Sequence, residues 1–261
     1  MKRKKLKRWV VKAGSNMICS GGPLLIRAWM QQVARLEREH NIEVVWVSSG
    51  AIATAVERTL FSKKKRSLHE KQALSAIGQP MVMDLYNIAL NSQGLMGAQV
   101  LLTYDDLANV PRRKNFQNTI EQLLAWGITP ILNENDAVAT EEIRFGDNDS
   151  LSAKIAKSVK AERLVILTDV NGLYDSDPRR NPAAKLIPEL KGVSTSLIKK
   201  IKQESGSTGG SSHGTGGMLS KLTAARLATQ AKIETWLVKG DEPNILLNVA
   251  KNLEVGTRIR K

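Results

Sequence analysis

Short apolar runs that end in polar or glycine-rich loops alternate along this chain with longer segments of helical periodicity. Arg8 to Ala13 (RWVVKA) is apolar and leads into Gly14-Ser15, the pattern of a buried strand. From Leu24 to Glu39, Leu25, Ile26, Trp29, Met30, Val33 and Leu36 recur at the spacing of one helix face. Ile42 to Val47 (IEVVWV) is a second strand, rich in β-branched residues, and Ser48-Ser49-Gly50 opens another helix. A charged linker, Ser62 to Ser67, precedes a helix predicted over Leu68 to Asn91 and bent near Pro80. The pattern then predicts a strand over Ala98 to Leu102 and a helix over Phe116 to Trp126 closed by Gly127. A strand follows over Ile128 to Leu132, a helix over Ser150 to Val159 and a strand over Leu164 to Leu167. Last come a Gly/Ser-rich loop over Gly206 to Gly217, a helix over Met218 to Ala231 and a strand over Thr235 to Val238.

Strands that alternate with helices imply an α/β fold, a mainly parallel open sheet with helices on both faces. In such sheets ligands bind beyond the carboxyl ends of the strands, where the polar and glycine-rich loops of this chain fall. A chain of 261 residues buries roughly 70–75% of its unfolded surface, so it needs no covalent staples. Its one cysteine, Cys19, excludes an intrachain disulfide and fits a reducing compartment. No stretch approaches the ~20 apolar residues of a membrane span. The basic start MKRKKLKRW lacks the apolar core of a signal peptide, so a soluble, cytoplasmic protein is expected.

The formal net charge is +14, with clusters at Lys2, Arg3, Lys4, Lys5, Lys7 and Arg8 and at Lys63, Lys64, Lys65 and Arg66. Such clusters suit a nucleic-acid footprint, or a solvated surface that attracts anionic substrates such as nucleotides. Neither is interleaved with aromatics, and only 4% of residues are aromatic, which favours the second reading.

Six loops carry candidate chemistry. Lys12 leaves the first strand beside Gly14-Ser15-Asn16, where an ammonium and backbone amides can meet phosphate; a strand-end lysine reaching for solvent is the alternative. Ser48-Ser49-Gly50-Ala51 can bind a carboxylate or merely cap a helix. Asn133 to Ala139 (NENDAVA) is dense in polar groups suited to an amino group, or is an Asx-rich turn. Gly146-Asp147-Asn148-Asp149 opens a helix with two acids and an amide, near a substrate and magnesium or as a plain cap; the remaining ligands of a calcium loop are missing. Thr168-Asp169 ends a strand with a carboxylate able to orient lysines. His213 to Met218, then Leu219-Ser220-Lys221, is a phosphate-cradle design or a linker, and it lacks the order of a Walker A loop. His40 and His69 carry no sign of catalysis, while His213 lies where it could touch phosphate.

Taken together and in this order, these segments resemble the amino acid kinase family and, within it, the glutamate 5-kinases. The resemblance runs from about Trp9 to Gly256 and is most specific at NENDAVA (Asn133 to Ala139), FGDNDSLSA (Phe145 to Ala153), LTDVNGLYDSDPR (Leu167 to Arg179) and GTGGMLSK (Gly214 to Lys221). It implies a three-layer αβα sandwich in one kinase domain, with a substrate lobe over about 1–160 and an ATP lobe over about 161–261. It implies ATP-dependent phosphorylation of the L-glutamate γ-carboxylate, the first step of proline biosynthesis, with Mg²⁺. Lys12 and Lys221 match lysines on the ATP phosphates; Ser49, Asp136 and Asn148 match glutamate-binding positions. Thr168, Asp169, Thr215, Gly216, Gly217, Met218, Leu219, Ser220 and Lys221 match nucleotide-binding segments. On this reading Asp169 holds the lysines in place, and Asp147 or Asp149 assists the metal.

A glutamate side chain, with a pKa near ~4.3, is already nucleophilic at neutral pH, so no general base is needed. The work left is alignment and charge neutralisation. The sequence departs from the family at Asn16, where many members have a hydroxyl residue, and in an enlarged stretch Glu204 to Ser212. Many members also carry a C-terminal PUA domain, and with its end at Lys261 this chain is expected to lack one. The resemblance further implies a homo-dimer or tetramer and coupling to a glutamyl phosphate reductase. Two rivals stand beside it. One is a relative acting on aspartate, carbamate or a nucleoside monophosphate, against which the NENDAVA and GDNDSLSA segments argue. The other is a catalytically retired, basic nucleic-acid-binding protein.

Overall fold

The structure, a computed structural model, describes residues 6–59, 61, 66–139, 148–178, 181–206 and 215–261, with the backbone alone at 204–206, 215 and 216. Strand β1 (Lys7–Ala13) shows how the sequence builds the layers. Successive residues of a strand point to opposite faces. Trp9, Val11 and Ala13 enter one apolar core, and Val10 enters another on the far side. Both faces of β1 are therefore buried, as its unbroken apolar run requires.

The first core is roofed by α1 (Ser15–His40), α3 (Leu68–Asn91) and α9 (Ile245–Ala250), and α2 (Ala51–Arg58) packs on α3. The second is roofed by α5 (Val110–Ala125), α6 (Asn148–Ser158), α7 (Thr195–Gly206) and α8 (Thr215–Gln230), with the short α4 (Tyr104–Ala108) beside α5. Between these layers lies a sheet of eight strands. With β2 (Ile42–Val47), β3 (Met96–Leu102), β4 (Ile128–Glu134), β5 (Arg163–Thr168), β6 (Glu189–Lys191), β7 (Glu234–Lys239) and β8 (Thr257–Arg260), its order is β3-β4-β2-β1-β5-β7-β8-β6. All pairings are parallel except β7 with β8. The three-layer α/β architecture is the one expected.

The chain runs outward from β1 to β2 on one side and later to β5 on the other. Such a reversal leaves a crevice at the carboxyl ends of the strands. The loops after β1, β2, β4 and β5 open into it.

Several boundaries differ from the expected ones. The first helix begins at Ser15, not Leu24, because Gly22 takes φ 54° and ψ −154°, a kink that lets helix continue on both sides of Gly21-Gly22-Pro23. The helix over Leu68–Asn91 runs on through Pro80 as one element, with that proline on the exposed side. It starts with a reciprocal cap, Ser67 accepting from the Glu70 amide and the Glu70 carboxylate accepting from the Ser67 amide. The elements α4, β6, α7, α9 and β8 were not foreseen.

Of the basic clusters, Lys2 to Lys5 and Lys63 to Lys65 lie outside the described residues. Arg8 is no open cation: its guanidinium binds Glu43 at 2.6 Å and Glu121 at 2.5 Å. Lys7 pairs with Glu162 at 3.6 Å. Among the described residues no helix is long and apolar enough to cross a membrane.

Candidate active site

The carboxyl ends of β1, β2, β4 and β5 and the first turns of α1, α6 and α8 wall a cleft of about 980 Å³. Its centre is a buried ionic junction. Lys12, the last residue but one of β1, points its Nζ to Asp149 Oδ1 at 2.6 Å. From the other wall Lys221, in the second turn of α8, brings its Nζ to 3.6 Å of Asp149 Oδ2. Ser220 Oγ donates to the same Oδ2 at 2.6 Å, and Lys221 Nζ donates to the Gly217 carbonyl at 3.0 Å. Asp149 stands in the first turn of α6, where the helix dipole favours a carboxylate.

Burial alone would raise the Asp149 pKa. The two ammonium groups and the hydroxyl overcome it and hold the carboxyl down at about 2. Lys221 shows the opposite balance. Burial lowers its pKa, the Asp149 charge resists, the Lys12 charge adds to the depression, and the Asp169 charge gives weaker support.

A second group of residues lies beside this junction. Asn148, just before Asp149, donates through Nδ2 to the Ser48 carbonyl, Ser49 Oγ and Asn133 Oδ1, each at 2.8 Å. One buried amide thus fixes the ends of β2 and β4 against α6. Behind Ser48, its Oγ donates to Tyr86 Oη at 3.2 Å, and that oxygen also accepts from Trp46 Nε1 at 2.8 Å. Burial pushes the Tyr86 hydroxyl up to about 12, so it stays protonated. Asp136 accepts from Ser75 Oγ at 3.1 Å, and burial raises its pKa against that bond.

The loop after β1 is shaped for close approach. Gly14 caps α1 without any side-chain hydrogen bond, leaving the first amides of the helix uncapped beside Lys12. A Cβ on Gly14 would stand 3.4 Å from Lys12 Nζ.

The structure thus gathers Lys12, Lys221, Ser220, Gly217, Met218, Ser49, Asp136, Asn148, Asp149, Thr168 and Asp169 around one cleft. Three expectations change. The carboxylate that pairs with both lysines is Asp149, not Asp169; Asp169 is exposed and accepts from Thr168 Oγ1 at 3.1 Å. Asp149, expected beside the metal, has its oxygens taken up by two lysines and a serine. Leu219 does not line the cleft, because on a helix residues 217, 218, 220 and 221 share a face from which 219 turns away.

Asp147, His213 and Gly214 lie outside the described residues, as does the side chain of Thr215, and Gly216 is described by its backbone fold alone. Among the described residues no three His, Cys, Asp or Glu side chains converge to cage a metal. Beyond Thr168 the acids that line the cleft are Asp169, Asp175 and Asp177.

Sequence reasoning missed Ile187, Leu197 and Lys200, which line the cleft together with Tyr174 and Pro178 of the LTDVNGLYDSDPR segment. The apolar spacing of Leu197, Ile198 and Ile201, which face the second core, was the signal that could have exposed α7.

The chain matches the family model described as "Amino acid kinase family" over residues 7–239. It is 41% identical over 257 residues to the glutamate 5-kinase of Thioalkalivibrio sulfidiphilus and 43% identical over 258 residues to that of Nitrosococcus oceani. In each case the match covers 97% of this chain and 67% of the relative, so the chain spans about two thirds of their length. Among solved structures, UMP kinase from Ureaplasma parvum superposes with a TM-score of 0.64 at 16% identity, over 99% of this chain and all of that one. Aspartate kinase from Synechocystis superposes with a TM-score of 0.63 at 18% identity, over 97% of this chain and 39% of that one. Both share the fold.

Proposed function

The chain belongs to the amino acid kinase family, and from that premise we propose that it transfers the γ-phosphoryl group of ATP to the γ-carboxylate of L-glutamate. The observation that carries the reading is the junction of Lys12 and Lys221 on Asp149, beside the polar group of Ser49, Asn148 and Asp136. Two ammonium groups from opposite walls converge where charge must be neutralised as a phosphoryl group moves between oxygens.

In this reading the substrate carboxylate, ionised at neutral pH, attacks directly. Lys12 and the uncapped amides of α1 hold phosphate oxygens on one side, and Lys221 holds them on the other. Asp149 keeps the two lysines at a fixed separation and opposes the depression of the Lys221 pKa. Ser49 and Asn148 align the acceptor, and Asp136 receives its ammonium. Mg²⁺, where bound with the nucleotide, would supply further neutralisation, and of the cleft's acids Asp169, beside Thr168, would help to hold it. Thr168 and the 215–221 segment form the nucleotide side. The acceptor side then belongs to a lobe of about 1–160 and the nucleotide side to one of about 161–261.

The test is ATP turnover with Mg²⁺ across glutamate, aspartate, N-acetylglutamate, carbamate and UMP, with hydroxylamine present to trap acyl phosphate. Hydroxamate formed with glutamate alone is the expected result. Turnover with another acceptor instead would reassign the acceptor loops, and no turnover at all would overturn the kinase reading.

A further inference from the structure

The cleft is also lined by Cys19, Val56, Glu57, Arg66 and Lys71, which the transfer chemistry leaves unused. Arg66 stands out within it. Its Nε is fully buried and has no hydrogen-bond partner. Among the described residues its Nη2 reaches the Phe61 carbonyl alone, at 3.5 Å, the outer limit of a hydrogen bond. A guanidinium is always charged and presents Nε and Nη2 as a planar fork matched to a carboxylate. Leaving the Nε donor buried and unpaired is unfavourable, whereas Nη2 is exposed, so an anion entering from the cleft would supply the missing partner.

Other groups nearby are already occupied. At the start of α3 the Ser67 and Glu70 amides are engaged by their reciprocal cap. Lys71 already has an interaction. Asp136 is fixed by Ser75, one turn past Lys71 on the same helix. Gln72 Nε2 donates to the Ala139 carbonyl at 3.1 Å, tying the same acceptor loop to the first turns of α3. Arg66 directly precedes the Ser67 cap of that helix, and it lines the same cleft as Asp136.

We propose that Arg66 is a specificity-determining residue that binds the α-carboxylate of the acceptor through its vacant Nε–Nη2 edge. This rests on the glutamate reading above. Glutamate carries one ammonium and two carboxylates. With the γ-carboxylate at the two lysines and the ammonium at Asp136, the α-carboxylate is the charge without a partner in the proposed assignment. Arg66 answers it and restricts the acceptor to compounds with a free carboxylate beside the amine.

The test pairs a side-chain change with removal of the matching substrate group. Glutamate without its α-carboxylate is 4-aminobutyrate, measured here as an acceptor by hydroxamate formation and as a competitive inhibitor against glutamate. For Arg66→Gln the KM for glutamate is expected to rise roughly 10- to 100-fold with little change in kcat. The inhibition constant of 4-aminobutyrate should stay within about twofold of the wild-type value, since the variant removes a contact that this ligand never makes. Arg66→Lys should recover part of the glutamate affinity as a point charge without the fork.

Equal losses for both ligands would mean that Arg66 only supports the loop, and no loss for glutamate would remove it from the site; either result overturns the proposal. Failure of the underlying activity has a different signature, absence of hydroxamate with glutamate in the wild-type protein.

Discussion

Replacing Asp149 by Asn tests the ionic junction most directly, because the change is nearly isosteric and removes only the charge. Holding the carboxyl at about 2 rather than 3.8 contributes about 2 kcal/mol at neutral pH. The folded pKa is depressed, so this stability is fully present above the unfolded pKa and is lost as pH falls through the folded one. The substitution costs more than that figure. It leaves the Lys12 and Lys221 ammonium groups, with side chains only 6% and 14% exposed, without their carboxylate. Breaking a buried ion pair from one side costs about 3–5 kcal/mol, and for a chain of this size that lowers Tm by roughly 5–10 °C.

The pH dependence gives a sharper signature. Burial already lowers the Lys221 pKa, and losing Asp149 removes the largest opposing influence. The unfolded chain then binds more protons than the folded one between the depressed pKa and the ordinary lysine value. Stability therefore rises with pH over that window. Urea unfolding of Asp149→Asn from pH 7 to pH 10 should show stability recovering as pH rises, more steeply than in the wild type. ATP should raise Tm further in the variant than in the wild type, because the triphosphate supplies the missing negative charge. A variant as stable as the wild type at pH 7, with a flat profile to pH 10, would refute the reasoning.

Other consequences follow from the same geometry. Lys12→Met and Lys221→Met should each lower kcat by about 10²–10³ while KM changes far less, and unchanged kcat in both would remove them from catalysis. Tyr86→Phe strips the oxygen shared by Trp46 Nε1 and Ser48 Oγ, so denaturant unfolding should show a loss of about 1–3 kcal/mol. Gly78→Ala would place a Cβ 1.8 Å from the Ala51 carbonyl oxygen. It should force α2 and α3 apart at a cost of about 1–3 kcal/mol or more and raise the KM for glutamate, since the shift reaches Ser49 through the start of α2.

The parallel core was legible because its strands are buried on both faces and read as unbroken apolar runs, IEVVWV over Ile42–Val47 above all. The strands at one end of the sheet were not. Glu189–Lys191 and Thr257–Arg260 are short, alternate polar with apolar, and owe their existence to pairing with β8 and β7. The start of the first helix was hidden by Gly22-Pro23, since a local pattern cannot show that helix resumes across a left-handed glycine. In the site, the residues at strand ends and helix starts were readable by type, but their pairing was not. Asp149 and Asp169 are both acids at element ends. The packing of α6 against β1 and α8 decides that Asp149 meets the lysines. Arg66 was legible only as one cation in a charged run, because nothing local marks the buried edge of its guanidinium.

The position of β1 in the sheet order bears on how the polypeptide is made. Of the eight strands of this sheet it is synthesised first, yet it lies in the middle, between β2 and β5. Its partner on one side ends at Val47, but the partner on the other begins only at Arg163. A ribosome must therefore add more than a hundred residues while the Trp9–Ala13 edge waits unpaired. An apolar strand edge left open invites pairing with other chains. The interval between those two strands is the aggregation-sensitive stage of biogenesis, during which a holding chaperone would do most to raise the yield of native protein.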